Sequence, residues 1–106
     1  MTYFDFTPPV LRERKQKTAI VYLHEHGRFD AWLVGNNRNI QAAVIDQLSQ
    51  KNIGCYQLSQ VHPGVDSIIE TILIKQPDFD KPENLKTEIE IKTIEYIKNT
   101  INILDE

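Results

Sequence analysis

The chain carries one cysteine, Cys55, so it can form no internal disulfide. That sets aside the disulfide-stapled class of small secreted domains and points to a reducing compartment or to indifference to redox. No apolar run approaches the roughly 18 residues that a membrane-spanning helix needs. Met1 to Phe6 has no basic region followed by an apolar stretch, so a secretory leader is not expected and the cytoplasm is the expected location. Positive charge is not in excess. The net charge of −3 exerts no general pull on nucleic acid or anionic lipid. Glycine-rich phosphate loops are missing too, in both the G-x-G-x-x-G and the G-x-x-x-x-G-K form. Internal repeats and low-complexity segments are likewise absent.

What remains is an ordinary globular composition, 41% hydrophobic and 25% charged over 106 residues, which implies a single domain able to bury its own core. The charges are unevenly placed. Arg12, Arg14, Lys15 and Lys17 cluster near the start, and the acids concentrate after Asp78. A solvated surface is the plain explanation of the basic cluster, and contact with phosphate is the sharper one.

Thr2 to Phe6 alternates and is aromatic-rich, as a short strand should be, and Pro8-Pro9 stops it. Val10 to Lys17 reads as a loop or short surface helix anchored by Leu11. Thr18–Leu23 and Phe29–Val34 are the clearest strands. A three-residue loop, Glu25-His26-Gly27, sets Leu23 opposite Phe29, Val21 opposite Ala31 and Ile20 opposite Trp32. Ala19, Val21, Leu23, Phe29, Ala31 and Leu33 then share an apolar face. Ile20, Tyr22, His24, Asp30, Trp32 and Val34 form a mixed one. A two-residue His26-Gly27 turn would exchange these pairings.

From Asn37 to about Gln50 the period becomes helical, with Ile40, Ala43, Val44, Gln47 and Leu48 as the stripe and Asn36 or Asn37 as N-cap. Asn52-Ile53-Gly54 closes that helix. Cys55–Leu58 is a short strand and His62-Pro63-Gly64 a turn. Val65 to Ile74 fits a helix at Val65, Ile68, Ile69, Ile72 and Leu73, yet its β-branched content favours a strand hairpinned with Cys55–Leu58. Pro82 stands at a helix start with Asp80 as N-cap candidate. Thr87-Glu88-Ile89-Glu90 offers a capping box for a helix striped by Leu85, Ile89, Ile94, Ile97, Ile101 and Leu104. The expected fold is α+β: a mostly antiparallel sheet of about five short strands with two main helices on one face, in two layers.

The candidate chemistry concentrates where the strand ending at Gly35 runs into a helix. Free backbone N–H groups there can face an anion. Arg38 sits in the first helical turn, where the dipole disfavours a cation and calls for a nearby negative charge. Asn36 and Asn37 would add directional hydrogen bonds, with Trp32 as an apolar wall and Gln41 flanking. The plain alternative is a salt bridge from Arg38 to Asp30 or to a carboxylate on the last helix.

His24 and His26 invite a metal reading, because His-x-His on a strand points both rings to one face. Further ligands with diagnostic spacing are lacking, and solvated hairpin histidines are commoner. A hydrolase or nuclease would draw on His24, Glu25 and Asp30. Glu88-Ile89-Glu90-Ile91-Lys92 resembles an E-x-K arrangement, but it lies in a helical pattern that points Glu90 and Lys92 apart. Cys55 is a nucleophile candidate only if a histidine lies near, and a buried structural cysteine is the commoner case. Trp32 and Tyr22 on one face could stack a base or ring, or form core.

Met1-Thr2-Tyr3-Phe4, Lys17 to Glu25, Arg28 to Arg38 and Pro77-Asp78-Phe79 together resemble a family of small uncharacterised bacterial proteins, a domain of unknown function, over nearly the whole chain. The resemblance implies a bacterial, cytoplasmic, single-domain protein and brings no activity. It also implies a further helical segment ahead of Met1 in other members, and so a shortened form or a surface that is covered elsewhere. The first expectation is therefore a non-catalytic binding or interaction module taking an anionic small molecule, with no cofactor. A metal-dependent enzyme is the second, and a structural homodimer pairing through the mixed hairpin face is the third.

Overall fold

A computed structural model of the chain describes residues 2–54, 56–60 and 67–105, with side chains from residue 5 onward. Its elements run β1 (Thr2–Phe6), α1 (Pro9–Glu13), β2 (Gln16–Leu23), β3 (Arg28–Gly35), α2 (Arg38–Leu48), β4 (Gln57–Leu58), β5 (Ser67–Ile74) and α3 (Pro82–Asp105). The strands form a five-stranded antiparallel sheet in the order β1-β2-β3-β5-β4. Ile20, Ala31, Leu33, Ile68 and Ile69 on one side of it join Val44 and Leu48 of α2 and Leu85, Tyr96 and Leu104 of α3 in one buried cluster. Both long helices thus lie on the same face, and the fold is two-layer α+β.

The central hairpin differs from the expected register. Leu23 pairs with Arg28, so the turn holds four residues, His24 to Gly27. The Leu23 carbonyl accepts from the N–H groups of both His26 (3.1 Å) and Gly27 (2.8 Å). Gly27 takes the expected left-handed conformation at φ 61°. The extra residue moves the pairing by one and turns every β2 side chain to the opposite face. Ile20 now meets Ala31, and Tyr22 meets Phe29, on the helix side. Ala19, Val21 and Val34 form a second, smaller cluster with Leu23 and Trp32 on the other side.

β5 is a strand, as its β-branched content favours, and it pairs with β4. Its helix-like spacing has a physical origin. Register shifts between Phe29 and Asp30 and between Leu33 and Val34 leave Leu73 and Ile68 without a direct partner on β3. Each bulge adds a residue and breaks the period of two, and both extra side chains are buried in the core.

The long helices start differently. Asn37 is the N-cap of α2, its Oδ1 accepting from Ile40 N–H at 2.9 Å. At α3 the Lys81 carbonyl accepts the first helical bond, from Leu85 N–H at 3.0 Å, and Pro82 is the first helical residue. Asp80 is not the cap; its N–H bonds to Asp78 Oδ1 at 3.1 Å in a preceding turn. Thr87 caps nothing either, because the helix is continuous there and its hydroxyl donates back to the Glu83 carbonyl. At the far end Lys51 Nζ donates to the Ile103 carbonyl (3.0 Å) and Gln47 Nε2 to that of Leu104 (3.4 Å). Arg14 pairs with Asp105. The last turn of α3 thus receives donors that suit its dipole. Tyr96, 2% exposed, donates to the Ile69 carbonyl at 3.3 Å, and burial pushes its hydroxyl pKa well up.

Candidate functional site

The turn from β3 into α2 is built by close approach. A Cβ on Gly35 would stand 2.9 Å from the Gln41 nitrogen and 3.1 Å from its Cα, so the helix start can fold onto the strand end only at a glycine. Asn36 N–H bonds to the Lys15 carbonyl at 2.9 Å, and Lys15 reaches that position in the left-handed region at φ 59°. Gln41 is 1% exposed and donates through Nε2 to the Ser67 carbonyl at 3.0 Å, tying α2 to β5.

Of the five residues expected to share a site here, Asn36, Asn37 and Arg38 lie together at the exposed turn. Gln41 is a buried strut. Trp32 belongs to the small cluster on the sheet face away from the helices, so it forms no wall beside Arg38. Its indole N–H is buried without a hydrogen-bond partner among the described residues. Arg38 has no ion-pair partner among the described residues, and Asp30 is taken by Arg28 at 3.0 Å. Arg28 and Asp30 stand two apart on one strand and so project to one side. That i, i+2 opposite-charge pattern was the legible signal for the pair.

His24 and His26 are exposed in the hairpin turn, and the His24 ring sits edge-on to Tyr22 at 4.7 Å. No group of three or more His, Cys, Asp or Glu gathers at metal-binding distance among the described residues. Cys55 and His62 lie outside the described residues. Tyr22 contacts Phe29 (4.9 Å) and Phe79 (5.7 Å), not Trp32, because the register places the two on opposite faces. Glu88 pairs with Lys92 along the helix at 3.3 Å while Glu90 turns elsewhere, so no E-x-K constellation converges.

A feature that sequence reasoning missed lies between β1 and the first half of α3. Phe6, Phe79, Leu85, Ile89, Thr93 and Ile94 line a groove of about 570 Å³, with Lys86 and Glu90 at its rim. Phe6, Phe79 and Ile94 are each more than half exposed. They hold a contiguous apolar surface outward around one concavity, whereas exposed apolar residues more commonly stand singly. The signal was an apolar surplus. The helix stripe included Ile94, yet α3 buries Thr93, Tyr96, Ile97 and Thr100 and leaves Ile94 outside.

Residues 1–104 match the family model described as "Domain of unknown function (DUF7000)". The chain belongs to this family. No curated protein and no solved structure matches it. Membership in the DUF7000 family spans nearly the whole chain and confirms the expected resemblance to a domain of unknown function; it brings no reaction with it. Among the described residues no helix is long and apolar enough to cross a membrane.

Proposed function

We propose that this chain is a non-catalytic interaction module that docks through the groove between β1 and α3. The observation that carries the reading is the groove itself: an apolar concavity with three large side chains more than half exposed around it. Burying such side chains yields about 25 cal/mol per Å² of apolar surface, and a partner that fills the groove gains that driving force. The test uses 1-anilinonaphthalene-8-sulfonate as an apolar probe on dilute protein. One saturable fluorescent site is expected, weakened strongly in Ile94→Glu and in Phe79→Ser. No saturable site, or one indifferent to both substitutions, overturns the reading.

A second reading rests on Arg38. It is an exposed cation in the first turn of α2 and has no carboxylate partner among the described residues. With Asn36 beside it and helix N–H groups below, an inorganic anion such as phosphate is the ligand it suits. Phosphate should raise the melting temperature of the native chain, and Arg38→Ala should remove that rise. An unchanged phosphate effect in the variant overturns it.

A further inference from the structure

We infer that the partner for the groove is a second copy of this chain, packed through α3 running antiparallel to its own twin. This rests on the groove being an interaction surface and adds the identity of the occupant. It also moves self-association away from the hairpin face, where a homodimer was first expected.

The argument starts from charge. Lys86 and Glu90 both line the groove rim, one helical turn apart, and form no ion pair with each other or with any described residue. Lysine four residues before glutamate is the weaker order for pairing within a helix. Across a two-fold axis it becomes the favourable one. In an antiparallel pair of α3 helices with the axis at residue 88, Lys86 of each copy faces Glu90 of the other, so two ion pairs form at once. A partner of uniform charge would satisfy only one of the two groups; a second copy satisfies both.

Shape agrees with charge. The same axis sets Ile94 of one copy against Pro82 of the other, beside Phe79, where the groove of the other copy lies. Ile94 is 51% exposed and Phe79 57%, so each copy carries both a projecting apolar side chain and the apolar concavity that would receive it. The contact is isologous, and it closes as a dimer instead of growing into a chain.

The experiment is sedimentation equilibrium on the full chain across a wide concentration range. A monomer–dimer equilibrium is expected. Lys86→Glu and Glu90→Lys should each weaken it about tenfold or more, since each places like charges together twice. The double variant Lys86→Glu/Glu90→Lys should restore association, and Ile94→Ser should weaken it with both charges intact. Circular dichroism of each variant checks folding; all three positions are exposed, so the fold should be kept. A dimer indifferent to the charge swaps, or a double variant no better than the singles, overturns the inference. A monomer at every concentration overturns it also. If the apolar probe still binds that monomer, the groove remains an interaction surface for another partner, and if it does not, both readings fall.

Discussion

The two halves of α3 are one continuous helix under two regimes. In residues 93–104 Thr93, Tyr96, Ile97, Thr100 and Leu104 are buried, and the last turn is held by Lys51, Gln47 and Arg14. In residues 82–92 only Leu85 is buried, and Ile91 is 60% exposed. The buried stripe of Leu85, Thr93, Tyr96, Ile97, Thr100 and Leu104, with Ile89 half-buried along it, runs the length of the helix, and Ile91 and Ile94 fall off it. Burial along that stripe should therefore carry the fold stability, and Ile91 and Ile94 should contribute little to it.

The largest expected effect is at Leu104. Leu104→Ala should destabilise the chain by about 3 kcal/mol, a buried truncation leaving a cavity, whereas Ile91→Ala should stay within about 0.5 kcal/mol. Urea unfolding of the two variants measures the contrast, and equal losses would break it. Next is Lys51→Met, which keeps the stem and removes the ammonium from the Ile103 carbonyl. A loss of about 1 kcal/mol is expected, together with faster amide exchange confined to the last turns of α3.

Tyr96 sharpens the comparison through pH. Its folded-state pKa is raised by burial, so deprotonation above about pH 10 favours the unfolded chain and stability falls there. Below that range the group is neutral in both states and exerts no pH effect. Tyr96→Phe should flatten the alkaline fall in urea titrations, while wild type keeps it; identical profiles would show that Tyr96 does not control it. The smallest effect is on Ile94→Ser in dilute monomer, within about 0.5 kcal/mol, because the side chain is already half in water. A large loss of monomer stability would mean that Ile94 serves the fold and not the groove.

Much of the fold was legible. Strand against helix followed from period and β-branching, the Asn37 cap from its position before an apolar stripe, and Gly27 from its place in the turn. The hairpin register was not, because three-, four- and two-residue turns fit His24 to Gly27 about equally, and a one-residue difference exchanges the faces. That error put Trp32 beside Tyr22 and made the hairpin face the expected interface. Gln41 was singled out for a ligand and turned out to hold β5, since an isolated sequence does not show that a glutamine one turn into a helix faces a buried carbonyl.

Composition and pattern alone determined that the chain is a small α+β domain whose antiparallel sheet is covered by two helices, because periodicity and turn chemistry are local. Only the tertiary structure decided which of its apolar residues remain outside. That depends on which face α3 turns to the sheet, a property of packing between segments that no local pattern encodes.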